Sequence, residues 1–422
     1  MKQKMFFTLT LFLSACQATS ESSSTRENTL NGILKNGVWR AELTLRKKEP
    51  LLPFNFEVST DNEGNKIVKL MNEDERIELG TVQYKGDTLV MPMKVFNTEI
   101  IAKVNGDELI GEWVKNDFED YRLPFKASYN NTKRFIIGTG TSGVNLAGNW
   151  AVSFENKEGS IEEAIGIFNQ LGNSITGTFL TQTGDYRFLQ GNIDGNKFKL
   201  SCFDGEHAFL FHASITNENT LTDGTFWSGK HWKQAWSAVK DANATLPDAS
   251  TLTYLKEGYE TVAFEFQDIE GNTVALSDKK FEGKVVVIQL MGSWCPNCLD
   301  ESKFLAPMYK NRKEEGLEVI ALCYERLKDR EKIAKRLNIL KDRIGIEYPL
   351  LIAGSDDKLD AVQTLPMLNH ILAFPTTIFV DRMGKVRKIH TGFSGPGTGK
   401  HYDQFTREFN LFVDKLLLEE AL

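Results

Sequence analysis

Residues 292–302 of the chain read "GSWCPNCLDES", in which a proline and an asparagine separate Cys295 from Cys298. The stretch follows the apolar run "KVVVIQLM", which is typical of a central strand buried on both faces. A cysteine pair at this spacing serves as half of a zinc site, as a structural disulfide, or as a dithiol that opens and closes during chemistry. The compartment and the surrounding residues decide between these uses.

The residues around the pair favour a reactive dithiol. Pro296 suits the first position of a helix, where its missing N–H would have no partner in any case. Cys295 then lies at the helix N-terminus, where free backbone N–H groups and the helix dipole stabilise a thiolate. Cys298 follows almost one turn later, within reach of Cys295. We therefore predict Cys295 as the nucleophile that attacks a substrate disulfide and Cys298 as the cysteine that resolves the mixed disulfide.

An acid on the same helix is a candidate proton acceptor. Glu301 lies three residues after Cys298 on the same helical face, where a partly buried carboxylate could take the Cys298 proton directly or through water. The alternative is that Glu301 is a solvated surface acid beside Asp300. The sequence leaves both interpretations open.

Other uses of the pair have less support. A zinc site needs about four ligands, but there is no second cysteine pair, and His207, His212 and His231 lack metal-ligand spacing. We predict no metal and no bound cofactor. A structural disulfide would close too small a loop to stabilise much. A peroxiredoxin would carry a threonine three residues before its reactive cysteine, where this chain has Gly292.

The N-terminus indicates the compartment. Lys2 and Lys4 precede and flank a short apolar stretch, "MFFTLTLFL", too short to span a bilayer and typical of a signal peptide over residues 1–16. The following "LSAC" resembles the bacterial lipobox, which predicts lipid attachment at Cys16. Residues 17–31 are polar and serine-rich, as in a flexible tether. We expect a periplasmic lipoprotein, and Gln17 after the cysteine favours the outer membrane over the inner one.

The rest of the chain divides into three parts. Residues 32–130 and 144–242 resemble each other, with alternating apolar residues and Asn-Gly, Asp-Gly or Gly-Asp turns, which predicts two related all-β units that are barrel- or sandwich-like. Their aromatic residues are expected to fill cores. Residues 243–256 are interpreted as a linker, and residues 257–422 alternate strands and helices. The net charge of −7, without any basic block, argues against nucleic acid, and we expect no nucleic-acid partner.

The C-terminal part resembles a known family. "WCPNC" after a buried strand, Glu301 behind it and "FPTTIFVDRMGKV" before a hairpin resemble the α/β thioredoxin-like fold, and more narrowly the membrane-tethered TlpA/ResA thiol:disulfide oxidoreductases. The resemblance implies that Pro375 is the cis-proline facing the active site and that Trp294 flanks the reactive sulfur. It also implies the catalytic roles of Cys295, Cys298 and Glu301. The chain departs from the family at Lys303, where a proline is common.

These observations predict an extracytoplasmic thiol:disulfide oxidoreductase. Its partners are expected to be protein disulfide substrates, the membrane through the lipid anchor, and a membrane electron donor if it acts as a reductase. Reduction is favoured over oxidation by the family resemblance. Alternatives are a binding or scaffold lipoprotein whose β-rich units carry the function, or a disulfide oxidant, an isomerase or a peroxidase. Outside the pair, Cys202 is expected to be a half-buried strand residue and Cys323 a packed free thiol.

Overall fold

Three sheets follow one another along the chain in a computed structural model that describes residues 34–136, 138 and 143–420. The predicted signal peptide, Cys16 and the tether lie outside the described residues. None of the helices in the described part of the chain is long and apolar enough to cross a bilayer.

The first β-rich unit is an open, antiparallel sheet. Its nine strands are β1 (Gly37–Leu43), β2 (Leu52–Thr60), β3 (Lys66–Asn72), β4 (Glu75–Glu78), β5 (Gln83–Lys85), β6 (Thr88–Met93), β7 (Thr98–Asn105), β8 (Glu108–Lys115) and β9 (Arg122–Tyr129). Their order is β4-β3-β2-β1-β9-β8-β7-β6-β5, so β4 and β5 form the two edges. Gly86 and Gly106 make the predicted tight turns with positive φ, as hairpins of this kind require.

The second unit is a closed barrel. Its strands are β10 (Gly148–Glu155), β11 (Ile161–Leu171), β12 (Ser174–Thr181), β13 (Gly184–Asp185), β14 (Leu189–Asp194), β15 (Lys197–Phe203), β16 (Ala208–Asn217), β17 (Thr220–Ser228) and β18 (Trp232–Lys240). Pairing of β11 with β12 closes eight of them, and the short β13 adds to β12 at one rim. Side chains fill the interior of an eight-stranded barrel. Here the filling is aromatic, as expected: Trp150, Phe154, Phe168, Phe179, Phe198, Phe211.

The first unit stays open because the barrel covers its apolar face. Phe203, on the outside of the barrel, packs into the first unit with ring centroids 4.4 Å from Phe54 and 5.0 Å from Trp113. Leu210 and Trp227 of the barrel belong to the same buried cluster. The expectation of two related all-β units is confirmed, but only the second forms a closed barrel. A sheet whose apolar face is buried by its neighbour has no need to close on itself.

The C-terminal part is the expected α/β thioredoxin-like domain. Its strands are β19 (Glu265–Asp268), β20 (Thr273–Ala275), β21 (Val285–Met291), β22 (Leu317–Glu325), β23 (Leu350–Ser355), β24 (Thr376–Val380) and β25 (Val386–Thr391), in the order β20-β19-β23-β22-β21-β24-β25. Strands β21, β22 and β23 are parallel and the others antiparallel. The helices are α1 (Pro296–Arg312), α2 (Arg330–Ile344), α3 (Lys358–Thr364) and α4 (Lys400–Leu418). Every residue of β21 is buried, and α1 begins just beyond its carboxyl end.

The segment interpreted as a linker lies against this domain. The Ala249 carbonyl accepts a hydrogen bond from the Thr391 N–H at 3.0 Å, and the fully buried Thr253 accepts one from the Thr391 hydroxyl at 2.9 Å. Residues 243–256 therefore attach the barrel to the thioredoxin-like domain along β25.

Candidate active site

The two cysteines lie at the start of α1 with their sulfurs directed inward. Cys295 caps the helix in an extended conformation, and its Sγ accepts a hydrogen bond from the Cys298 N–H at 3.2 Å. Both are free thiols in this structure; Cys295 is 6% exposed and Cys298 fully buried. Burial, together with the neighbouring Cys295, raises the pKa of the Cys298 thiol well above its usual range. Cys295 is thus the accessible member of the pair, and Cys298 needs help to lose its proton.

Glu301 is buried, so its interpretation as a solvated surface acid is wrong. Its carboxylate accepts hydrogen bonds from Gln289 Nε2 at 2.8 Å and from Thr377 Oγ1 at 2.6 Å. Burial raises the pKa of Glu301 to about 7. The adjacent Asp300 is also buried, against Arg187 of the barrel. Helix α1 directs Glu301 toward β21 and β24 and Asp300 toward the barrel, which removes both acids from solvent.

Sequence reasoning missed the partners of Glu301. Gln289 is the single polar residue in the apolar strand β21, and its Nε2 also donates to the Cys298 carbonyl at 3.2 Å. A lone amide in a buried strand is a signal that could have identified it, because buried polar groups need partners. Thr377 lies in β24, two residues after Pro375, and nothing in the sequence marked it in a comparable way.

The predicted Phe374-Pro375 bond is cis and lies beside the cysteines. The Phe374 carbonyl accepts from Cys295 Sγ at 3.4 Å. Trp294 packs edge-on against the Phe374 ring at 5.9 Å and donates its indole N–H to the Tyr324 carbonyl at 2.9 Å. The guanidinium of Arg326 stacks over the Trp294 ring at 4.4 Å. The structure therefore brings together all five predicted catalytic residues: Trp294, Cys295, Cys298, Glu301 and Pro375.

A second buried carboxylate holds the segment that leads into the cysteines. Glu325, at the end of β22, accepts from the Ser293 N–H at 2.8 Å and from the Ser293 hydroxyl at 2.7 Å. Burial raises the pKa of Glu325 to about 6. These two bonds fix the backbone immediately before Trp294. The sequence did not single out Ser293 or Glu325.

The barrel also reaches the site, through residues 182–187, which we call the rim hairpin. The Asp185 carbonyl accepts from the Asn297 side chain at 3.2 Å, and the Asp185 carboxylate accepts from the Gly395 N–H at 2.7 Å. Gly392 lies very close to the Thr183 backbone. A Cβ added at Gly392 would lie 2.8 Å from the Thr183 carbonyl carbon. The sequence analysis named no site residue in the β-rich units, and no local pattern indicated this contact.

Among the side chains that the structure describes, no group of three or more histidine, cysteine or acidic residues could hold a metal ion. The arrangement is that of a dithiol at a helix N-terminus with a buried carboxyl group behind it. Such a group of residues can exchange electrons with a disulfide without any bound cofactor.

Comparisons with known proteins agree with this chemistry. The model of the AhpC/TSA family matches residues 258–389. Thiol-disulfide oxidoreductase ResA of Halalkalibacterium halodurans is 31% identical over 137 residues, 32% of this chain and 69% of the relative. ResA of Bacillus subtilis is 32% identical over 138 residues, 33% of this chain and 69% of the relative. A thioredoxin-family thiol:disulfide interchange protein from Chlorobium tepidum covers 38% of this chain and 98% of its own, at 16% identity and a TM-score of 0.30.

That structural likeness adds nothing to the assignment at such a TM-score, whereas the two ResA proteins match this chain over more than two thirds of their own length. Strands β1 to β18 precede the residues that the family model matches. Through its C-terminal thioredoxin-like domain, the chain belongs to the ResA family of thiol-disulfide oxidoreductases.

Proposed function

We propose that this oxidoreductase reduces disulfide bonds of partner proteins outside the cytoplasm, by dithiol-disulfide exchange through Cys295 and Cys298. The observation that supports this most directly is the hydrogen bond from the Cys298 N–H to Cys295 Sγ, with buried Glu301 on the same helix. The hydrogen bond stabilises a thiolate at Cys295, the accessible sulfur of the pair. Glu301 is a base that ionises near neutral pH.

In the first step the Cys295 thiolate attacks one sulfur of the substrate disulfide. A Cys295–substrate disulfide forms and the other substrate sulfur leaves as a thiolate. The Cys298 N–H and the N-terminal end of α1 stabilise the attacking thiolate. The indole of Trp294, held by its bond to the Tyr324 carbonyl, and the cis Phe374-Pro375 segment border the sulfur on the barrel-facing side of the domain.

In the second step Cys298 attacks Cys295 Sγ and releases the second substrate thiol. Two electrons have then passed from the dithiol to the substrate, and Cys295 and Cys298 are joined as a disulfide. Cys298 must first lose a proton that burial makes it hold strongly. Glu301 lies one turn further along α1, and Gln289 donates to both the Glu301 carboxylate and the Cys298 carbonyl. Ionised Glu301 is the proposed acceptor of that proton, directly or through water.

This role predicts a pH dependence for the second step alone. Since the pKa of Glu301 is about 7, its basic form accumulates as pH rises through 7, and the resolution rate should rise with it. Glu301→Gln should remove the inflection and slow resolution by about 10²-fold. An aromatic disulfide that releases one coloured thiolate at each step separates the two rates in stopped flow. Glu314→Gln, exposed beyond the end of α1, is the matched control. An inflection near pH 7 that survives in Glu301→Gln would assign the base to another group.

The location of the protein is part of the proposal. The charged and apolar N-terminal stretch, the lipobox-like "LSAC" and the polar tether support a lipid anchor at Cys16 in the cell envelope, with the outer membrane favoured. In such a compartment thiols are not kept reduced by glutathione. A reductase there needs an electron donor, for which a membrane dithiol protein is the proposed partner.

The direction of electron flow is tested by the reduction potential of Cys295/Cys298, from equilibration of the full chain with dithiothreitol and quantification of free thiols by alkylation. We expect a value near that of thioredoxin, about −270 mV. A value near about −120 mV would instead make the protein an oxidant. The absence of any reversible dithiol/disulfide couple would overturn the proposed function.

A further inference from the structure

A cavity of about 290 Å³ separates the rim of the barrel from the cysteines. The thioredoxin-like domain contributes Trp294, Cys295 and Phe374 to its lining, and the barrel contributes Glu162, Thr183 and Tyr186. Nine of the sixteen residues that line the cavity therefore come from a part of the chain outside the family match. The barrel is in a position to decide which disulfides reach Cys295.

The rim hairpin is held firmly over the site. Arg187, at its end, is buried and ion-paired with Asp300 on α1 and with Glu75 of the first unit. A second set of ion pairs joins Glu206 of the barrel to Lys115 at 2.7 Å and to Arg326 at 2.8 Å. Removing one partner from buried pairs of this kind is costly. With the hairpin in place, Cys295 is 6% exposed and borders the cavity, which gives a disulfide a route to its sulfur.

The size of the cavity limits what can approach. Ligand cavities usually measure about 300–1,000 Å³, so this one lies just below that range. Stable docking of a folded protein covers roughly 800 Å² on each partner. The rim hairpin occupies the surface beside Asn297 and Gly395 that such a partner would have to cover. In this arrangement the rim hairpin therefore hinders a folded domain from bringing a disulfide to Cys295.

The charges at the cavity suit a short peptide. Glu162 of the barrel and Lys358 of α3 both line the cavity. Their side chains carry opposite charges and attract each other. The apolar part of the lining consists of aromatic rings, among them Tyr186, Trp294 and Phe374. A short peptide presents an ammonium and a carboxylate group a few atoms apart, which matches a lining with one charge of each sign.

Building on the proposed reductase function, we propose that the substrate is a cysteinyl disulfide flanked by only a few residues, carried on a free short peptide or on an unfolded segment of a protein. The barrel selects it by excluding folded bulk from the cavity. Cys295 bonds to one peptide sulfur and the other leaves as a thiol; Cys298 then displaces the first. Two electrons and two protons pass from the cysteine pair to the two peptide thiols. A dithiol reductant restores the pair for the next cycle.

The test measures oxidation of the reduced full chain by three disulfides: a dimer of the tripeptide Gly-Cys-Gly, an unfolded polypeptide with one disulfide, and a folded domain with a surface disulfide. Each rate is divided by the rate of the same disulfide with dithiothreitol. We expect the tripeptide to react at least roughly 100-fold faster than the folded domain. The unfolded polypeptide shows which of the two sources the site accepts. Equal normalised rates for the tripeptide and the folded domain would overturn the inference.

Two variants examine the cavity itself. Thr183→Trp should fill the cavity and slow the tripeptide reaction more than tenfold, while the reduction potential measured with dithiothreitol stays unchanged. Thr216→Trp is the control, because Thr216 is exposed elsewhere on the barrel, and it should have no effect. Glu162→Gln, a change without added bulk, should raise KM severalfold for the tripeptide with free termini but not for one with blocked termini. If neither variant alters the tripeptide reaction, the cavity is not the route. If Cys295 and Cys298 still form a reversible dithiol/disulfide couple in those samples, the proposed reductase function is retained. If they do not, both the reductase function and the selection of peptides by the cavity are wrong.

Discussion

Cys295→Ser should lower the rate of disulfide reduction by roughly 10³-fold or more, because a serine hydroxyl without an adjacent base is not a nucleophile for sulfur. Cys298→Ser should behave differently. Its Cys295 can still attack, but no second sulfur lies behind it to release the substrate. The product is then a stable Cys295–substrate disulfide, formed once per protein molecule.

Intact-protein mass spectrometry after reaction with the Gly-Cys-Gly disulfide distinguishes the two variants. We expect a mass increase of one tripeptide in Cys298→Ser and no increase in Cys295→Ser. Cys202→Ala is the matched control, since Cys202 is a buried free thiol within the barrel and should leave the rate unchanged. Full turnover by Cys298→Ser would show that Cys298 is not the resolving cysteine and that an external thiol resolves the mixed disulfide.

The positions of the cysteines were predictable from the sequence because the signals are local. An apolar run, a proline at the first helical position and a two-residue spacing place Cys295 at the end of a strand and the start of a helix. Glu301 was predictable only in part. Helical spacing put it on the face of Cys298, but its burial depends on contacts with Gln289 and Thr377, and Thr377 lies 76 residues away.

The role of the barrel rim was not predictable in this way. Alternating residues and tight turns indicated two β-rich units, yet nothing in that pattern shows that one closes while the other stays open beneath it. The contact between Arg187 and Asp300 joins residues 113 positions apart. Although Asp300 lies two residues after Cys298, no sequence pattern links it to Arg187. Side-chain pairs between domains depend on how the surfaces of the folded domains fit together. A single sequence carries no periodic signal for such pairs.

Arg187→Met is expected to destabilise the protein by about 3–5 kcal/mol, the largest effect on stability that we anticipate from a single change. Arg187 is 5% exposed, ion-paired with Glu75 and Asp300, and 3.6 Å from the Asp204 carboxylate. Methionine keeps most of the volume of the side chain but removes its charge. Three carboxylates would then lose their shared cation: the partly buried Glu75 of the first unit and the buried Asp204 of the barrel and Asp300 of α1.

Chemical denaturation followed by tryptophan fluorescence measures this loss. Arg122→Met is the matched control, because Arg122 pairs with Glu112 at 3.0 Å with both side chains about half exposed, and such surface pairs contribute only about 0–1 kcal/mol. Adding Asp300→Asn to Arg187→Met should recover part of the stability, since one of the unpaired carboxylates is then gone.

The same variant connects stability with access to the active site. Asp300 lies between Cys298 and Glu301 on α1, so its ion pair with Arg187 fastens the rim hairpin directly to the catalytic helix. Releasing that pair should let the hairpin leave the site and raise the rate with a folded-domain disulfide, while the tripeptide rate changes little. A loss of stability no larger than that of Arg122→Met, with no gain toward the folded domain, would show that the other contacts of the barrel hold it over the cysteines without Arg187.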